Sequence, residues 1–157
     1  MFWPLMKDCI TEEDKKSMID FISNTDRFTN GPKVREFEAA WSEWLGCKYS
    51  LFVSSGSTAN LLLAASVKEK YNLNKGDKVL LPAMTWATNV SPIIQLGLEP
   101  IFCDVDLNNF GFDLKHLEYL KQKHPDIKLA FISFSSVIAD AVTFWYIGHF
   151  GLVKVVF

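Results

Sequence analysis

The chain has 157 residues, of which 49% are hydrophobic and 22% charged, and its formal net charge is −2 at pH 7. This length and composition predict a folded protein of one domain, or part of a larger one, and exclude an intrinsically disordered chain. The slight negative charge excludes a basic surface for nucleic acid and a polybasic membrane anchor. From Leu129 to Phe157 only Asp140 and Lys154 are charged, so the composition changes near residue 128.

The first two predicted elements are helices. Thr11 is a favourable N-cap and is followed by three acidic residues, which suit the positive end of a helix dipole. A second helix is predicted to begin at Pro32 and to end at Gly46. Its apolar residues recur at spacings of three and four, which gives the helix one apolar face: Val34, Phe37, Trp41, Trp44 and Leu45.

Beyond Gly46, strand-like and helical segments alternate. The predicted strands are residues 49–53, 78–81, 99–103 and 127–134, and the predicted helices are residues 59–71, 85–95 and 113–123. Pro92 is unfavourable in the interior of the helix at 85–95 because it has no N–H to donate. Short apolar strands that alternate with helices predict a parallel sheet with helices on its faces.

The segment SSGSTAN, residues 54–60, joins a predicted strand to a predicted helix. The free N–H groups of the first helical turn and the helix dipole favour an anion at this point, and the hydroxyls of Ser57 and Thr58 can add donors. The alternative is a plain capped turn. Neither GxxxxGKS/T nor GxGxxG occurs in the chain, so a P-loop and a Rossmann dinucleotide fingerprint are excluded.

Two further candidates follow predicted strands, at the edge where parallel sheets bind ligands. Trp86 can present a flat face to an aromatic ring, and the alternative is a tryptophan of the core or of an interface. Asp104 and Asp106 can bind a metal or act as acid and base. Because no histidine is near them in the sequence, we expect them to cap the next turn, and we predict no metal site.

Four segments, in this order and spacing, resemble the DegT/DnrJ/EryC1/StrS family of pyridoxal 5′-phosphate (PLP) enzymes, which comprises sugar aminotransferases and some sugar dehydratases. The resemblance covers residues 10 to 133 approximately, and the segments are TNGPKVREFE (29–38), SSGSTAN (54–60), PAMTWAT (82–88) and GLEPIFCDVD (97–106). It implies an α/β fold class: the N-terminal part of the large domain of a type I PLP-dependent transferase fold, with a mostly parallel sheet flanked by helices, truncated.

The resemblance also implies roles by position. At the cofactor, Gly56 and Ser57 would hold the PLP phosphate with Thr58 beside them, and Trp86 would stack on the pyridine ring. On the substrate side, the loop around Phe28 and Thr29 would approach a nucleotide-sugar substrate. The implied activity is that of a PLP-dependent aminotransferase acting on a nucleotide-linked keto sugar. The same segments are also similar to the 3-dehydratase branch, in which a histidine replaces the Schiff-base lysine. A non-enzymatic phosphate-binding or membrane-associated module is the third possibility.

The implied division of the chain is an N-terminal helix and substrate-side loop (1–32), a partial PLP-binding large domain (33–134) and a divergent apolar tail (135–157). The family's Schiff-base lysine segment and its acid for the pyridine nitrogen have no match here. We therefore assign no catalytic residue and expect this truncated chain to be inactive by itself. Its three widely spaced cysteines are typical of a reducing cytoplasm. A homodimer is implied for the full-length enzyme.

Overall fold

The computed structural model describes residues 9–132 and the backbone of residues 153–156. The chain divides into two compact units, residues 1–52 and residues 53–157. The predicted apolar tail lies outside the described residues, apart from residues 153–156. No helix within the described part is long and apolar enough to cross a membrane.

Within residues 9–52, the first unit contains two helices, α1 (Glu12–Asn24) and α2 (Pro32–Leu45). Thr11 caps α1 through a reciprocal pair of hydrogen bonds: the amide of Asp14 donates to the Thr11 hydroxyl, and the amide of Thr11 donates to the Asp14 carboxylate. Gly46 ends α2 at φ 73°, a left-handed conformation that favours glycine. The structure confirms both predicted helices and their caps.

The strand predicted at residues 49–53 is wrong. These residues are not in a strand, and the amide of Phe52 donates to the carboxylate of Glu38 at 3.0 Å. That hydrogen bond, together with one from Arg35, lowers the pKa of the Glu38 carboxyl. The Phe52 ring packs edge-on against Phe37, with 5.6 Å between the centroids. Apolar and aromatic residues favour an extended backbone, but a strand also needs a neighbouring strand as its hydrogen-bond partner. Here the side chain of Glu38 accepts the hydrogen bond that a neighbouring strand would otherwise accept.

The second unit is a sheet with helices on both faces. Its elements in chain order are α3 (Gly56–Lys70), β1 (Lys78–Pro82), α4 (Ala87–Gln95), β2 (Glu99–Cys103), α5 (Leu114–Lys123), β3 (Leu129–Ile132) and β4 (Val153–Val156). The four strands are parallel and lie in the order β2–β1–β3–β4. The predicted parallel α/β architecture is therefore confirmed.

Strand β3 separates the two halves of the core because alternate side chains of a strand point to opposite faces. Leu129 and Phe131 pack with Ala64 and Val67 of α3 and with Ile93 of α4. On the opposite face, Ala130 and Ile132 pack with residues of α5 and β2, among them Leu117, Leu120, Ile101 and Cys103. The helices α3 and α4 thus cover one face of the sheet and α5 the other.

Two helices of this unit begin two or three residues away from their predicted starts, and α5 begins one residue after its predicted start. Helix α3 begins at Gly56, three residues before the predicted start, because Ser55 is its N-cap. Helix α4 begins at Ala87, two residues after the predicted start, with Trp86 as the N-cap. A loop of four residues leads from β1 to α4, so the first turn of α4 lies at the carboxyl edge of β1.

Candidate cofactor site

The N-terminus of α3 is organised by a capping box between Ser55 and Thr58. The amide of Thr58 donates to Ser55 Oγ at 3.2 Å, and the amide of Ser55 donates to Thr58 Oγ1 at 3.0 Å. The Thr58 hydroxyl donates to the Ser55 carbonyl at 2.8 Å. Thr58 is therefore occupied in holding the end of the helix. Among the described residues, the N–H groups of Gly56 and Ser57 and the hydroxyl of Ser57 have no protein partner.

The space in front of this turn is open. A Cβ added to Gly56 would meet no atom within 4 Å, and residues 54–58 are exposed. No acidic residue lies in the first turn of α3. A phosphate dianion fits here because three unpaired donors and the positive end of the helix dipole face a free volume.

Trp86 lies at the N-cap of α4 with 70% of its surface exposed. It is therefore not a core residue of this unit, and its indole is free to cover a planar ligand. Its backbone is extended, with φ −70° and ψ 143°, and the helix begins at the next residue. The ring thus lies at the end of the loop that leads from strand β1 to helix α4.

A short hydrogen-bond network joins the first turns of α3 and α4. Asn60 Nδ2 donates to Asn89 Oδ1 at 2.7 Å and to the Thr88 carbonyl at 3.2 Å. Asn89 Nδ2 then donates to Thr85 Oγ1 at 2.7 Å. Asn89 is only 3% exposed. The turn that holds Ser57 and the turn that follows Trp86 are therefore linked directly.

Neither asparagine stands out in the sequence, and Pro92 indicates only that a carbonyl of α4 needs a donor from elsewhere. Pro92 lies inside α4 and has no N–H, so the carbonyl of Thr88, four residues earlier, lacks its helical partner. A carbonyl in that position needs another donor. Asn60 supplies it.

Phe28 and Thr29 lie in the first unit, in the loop between α1 and α2. Phe28 lines a groove of about 300 Å³, whose walls also include Phe21, Phe37, Phe52, Arg27 and Lys33. The carbonyl of Thr29 accepts a hydrogen bond from Arg27 Nε at 2.9 Å. The groove thus combines aromatic walls with two cationic side chains.

The carboxylates that follow β2 cap a turn, as expected. Asp106 Oδ1 accepts from the amide and the side chain of Asn108, each at 2.8 Å. No histidine is near them in the sequence, but the fold brings His116 to Asp104, whose amide donates to His116 Nδ1 at 3.0 Å. The separation of twelve positions made this contact invisible in the sequence. Within residues 9–132, no group of three or more His, Cys, Asp or Glu side chains could hold a metal ion.

All three cysteines are free thiols. Burial raises the pKa of the Cys103 thiol to about 12, with added contributions from the negative charges of Asp113 and Asp104. A thiol with such a pKa stays protonated near neutral pH and is a poor nucleophile. Cys103 is therefore a residue of the core.

Comparison with known proteins places these features in a family. The DegT/DnrJ/EryC1/StrS aminotransferase family matches residues 8–123. The GDP-4-keto-6-deoxy-D-mannose 3-dehydratase of Yersinia pseudotuberculosis is 38% identical over 109 residues, which are 68% of this chain and 28% of that protein. The UDP-4-amino-4-deoxy-L-arabinose–oxoglutarate aminotransferase of Shewanella sediminis is 34% identical over 119 residues, 76% of this chain and 29% of that protein. The chain thus spans less than a third of the length of either relative.

Solved structures share the fold. The Escherichia coli GDP-4-keto-6-deoxy-D-mannose-3-dehydratase with bound hydrated PLP superposes with a TM-score of 0.75 and 28% identity, covering 99% of this chain and 40% of that one. A GDP-4-keto-6-deoxymannose-3-dehydratase with bound GDP-perosamine gives a TM-score of 0.71 and 32% identity, covering 84% and 33%. The fold is that of the type I PLP-dependent enzymes. The relatives of this chain include both sugar aminotransferases and sugar 3-dehydratases. The chain belongs to the DegT/DnrJ/EryC1/StrS aminotransferase family of PLP-dependent enzymes.

Proposed function

We propose that this chain supplies the cofactor-holding part of a PLP-dependent enzyme that acts on a nucleotide-linked keto sugar. The observation that carries the proposal is the first turn of α3, where three unpaired donors of Gly56 and Ser57 face open space with no acidic residue beside them. When bound, PLP supplies an electron-withdrawing ring that stabilises negative charge on the carbon undergoing reaction.

Each residue of the site has a distinct task in this proposal. Gly56 and Ser57 hold the phosphate through their backbone N–H groups and the Ser57 hydroxyl. Thr58 lies beside them and keeps the turn in shape through the capping box. Trp86 covers one face of the pyridine ring. These residues bind and orient the cofactor, and they move no proton.

On the substrate side we assign Phe28 and Thr29 to the nucleotide sugar. The aromatic walls of the groove beside Phe28 suit a planar base, and Arg27 and Lys33 in the same groove suit a diphosphate. This gives the proposed functional division: residues 1–32 carry the substrate-side loop and residues 33–134 the partial cofactor domain. We extend the proposal to a cytoplasmic location, which the free cysteines support, and to a homodimer for the full-length enzyme.

The phosphate site is tested with pyridoxine 5′-phosphate and pyridoxine as ligands of the full chain. Neither has an aldehyde, so neither forms imines with surface lysines. We expect the phosphate ester to bind at least about tenfold more tightly, because charge-assisted hydrogen bonds are worth more than neutral ones. Isothermal titration calorimetry measures both dissociation constants.

A matched pair of variants tests whether the phosphate ester binds at Ser57. Ser57→Ala removes one donor and is expected to weaken the phosphate ester about threefold to tenfold. Ser66→Ala lies on the same helix, where the hydroxyl donates to the Leu62 carbonyl, and is expected to leave binding unchanged. Equal affinities of the wild-type chain for pyridoxine and its phosphate would contradict the proposal.

Two reactions fit this site, transamination and 3-dehydration of the sugar. Transamination gives the family its name, and an aminotransferase is among the relatives at 34% identity. A specific observation favours 3-dehydration: two GDP-4-keto-6-deoxy-D-mannose 3-dehydratases reach 38% identity. We therefore propose 3-dehydration as the reaction of the enzyme to which this chain contributes, with transamination as the second candidate.

Chimeras distinguish the two reactions. Residues 8–132 replace the matching N-terminal part of the Escherichia coli 3-dehydratase in one chimera and of the Shewanella sediminis aminotransferase in the other. We expect the first to form a 3-deoxy sugar and the second to lose most of its activity, because active-site residues displaced by about 1 Å can cost about a hundredfold in rate. Mass spectrometry identifies the products. The reverse pattern would favour transamination.

A further inference from the structure

We propose that Asn60 is a positioning residue: its side chain sets the distance between the phosphate-binding turn of α3 and Trp86 on α4. The inference rests on the proposed function, because it concerns how that same cofactor would be held. Asn60 contacts neither the phosphate nor the ring in this proposal. It acts through the backbone and side chain of the neighbouring helix.

Asn60 lies close to the phosphate donors along α3. It is the fifth residue of the helix and follows Ser57 by three, so it lies within about one turn of the phosphate donors. Its amide donates to the carbonyl of Thr88 at 3.2 Å. Thr88 is the second residue of α4, two residues after Trp86. One side chain therefore spans from the phosphate turn to the turn that carries the indole.

This link is specific. The two helices also pack through apolar residues such as Ala64 and Ile93, but apolar contacts tolerate small sliding motions. Asn60 instead donates to two acceptors, one on the backbone and one on the buried side chain of Asn89. Asn89 is held in turn by Thr85 in the loop just before Trp86. Paired hydrogen bonds to a buried, oriented partner fix a helix in register more sharply than apolar packing does.

The shape of the ligand limits the distance between the two surfaces that bind it. A phosphate and a pyridine ring joined through a short oxymethylene link (–CH2–O–) can lie only a limited distance apart, so their two binding surfaces must stay within a narrow range of separations. The shape of the phosphate turn is set by its own capping box, and the backbone of Trp86 is set by the start of α4. The relative placement of the two turns is the remaining variable, and the Asn60 bridge controls it.

Asn60→Ala tests this role through ligands that use one surface or both. Inorganic phosphate needs only the α3 turn, and we expect its affinity to change by less than about twofold. Pyridoxine 5′-phosphate needs both surfaces, and its affinity is expected to fall about tenfold, the value of a well-placed hydrogen bond. Calorimetric titration of the full-length chain gives both constants.

A double-mutant cycle between Asn60 and Trp86 distinguishes a positioning role of Asn60 from a merely structural one. Trp86→Ala alone is expected to weaken pyridoxine 5′-phosphate about threefold to tenfold, the value of an aromatic stack. In the Asn60→Ala background the same change is expected to have almost no further effect, because the ring is then already displaced. Additive losses in the double variant would overturn the proposal.

Loss of the buried hydrogen bonds also affects stability, so a second variant separates position from folding. Asn60→Leu/Asn89→Leu replaces the Asn60–Asn89 pair with apolar groups of similar size, so no buried amide of that pair is left unsatisfied. The Thr88 carbonyl and the Thr85 hydroxyl still lose their donors, so we expect this variant to recover only part of the stability that Asn60→Ala loses. We expect this variant to bind pyridoxine 5′-phosphate as weakly as Asn60→Ala does. Recovery of affinity together with the melting temperature would show a structural role only and overturn the inference. A wild-type chain that does not distinguish pyridoxine 5′-phosphate from pyridoxine would overturn the proposed function as well.

Discussion

A Ser57→Asp variant is expected to lose phosphate-dependent ligand binding while melting no lower than the wild-type chain. Ser57 is the second residue of α3, where the helix dipole stabilises a carboxylate by about 0.3–1 kcal/mol. The same carboxylate opposes a bound phosphate. Two unit charges about 4 Å apart repel by about 1 kcal/mol in water and by about 4 kcal/mol in the lower effective dielectric near a protein surface. We therefore expect the affinity to fall by about fivefold to a thousandfold.

The added carboxylate is expected to weaken ligand binding without lowering the melting temperature, so a loss of binding would not be caused by unfolding. Calorimetry with pyridoxine 5′-phosphate measures the loss of binding, and circular dichroism measures the melting temperature. Ser66→Asp adds the same charge to an exposed position near the other end of α3 and serves as the control, with binding expected to change by less than about twofold. Undiminished binding by Ser57→Asp would place the phosphate elsewhere.

Phe131→Ala is expected to lower the free energy of unfolding by about 3–5 kcal/mol, the usual loss for a phenylalanine removed from a core. Phe131 is fully buried in β3, which lies between β1 and β4 in the sheet. It packs against residues of α3 and α4, so its loss leaves a cavity under the two helices that carry the site. Urea titration followed by circular dichroism measures the change.

Phe102→Ala is the matched control because it makes the same change on a strand of the same sheet. Phe102 lies in β2 and is 42% exposed, so less apolar surface returns to water. We expect less than half of the destabilisation of Phe131→Ala, since burial determines the cost of removing a side chain. Equal losses from the two substitutions would contradict the packing described here.

Much of the architecture could be predicted because periodicity and caps act locally. The starts of α1 and α2, the end of α2 at Gly46 and the strand at residues 99–103 follow from patterns of a few residues. The strand predicted at residues 49–53 failed because pairing is not local: the Phe52 amide found the Glu38 carboxylate instead of another strand. The start of α3 was misplaced because the capping box of Ser55 was not recognised.

Some residues of the candidate site could likewise be predicted from the sequence, and others could not. Ser57 and Trp86 could be selected from the sequence because each follows a segment with a recognisable pattern. The Asn60–Asn89 pair could not, because the two residues are 29 positions apart and asparagine is common in turns. His116 was missed beside Asp104 for the same reason, since it lies twelve residues away. Contacts between distant segments are set by packing, which a pattern within one segment does not encode.

The proline inside α4 has a consequence for how this part of the molecule assembles. A helix ordinarily satisfies its carbonyl groups itself, but the Thr88 carbonyl depends on a side chain from α3. The first turn of α4 is therefore complete only after α3 has docked against it. Formation of the site is thus tied to the cooperative folding of α3 and α4 on the sheet. A partly folded chain in which α3 has not docked would therefore have no complete cofactor site.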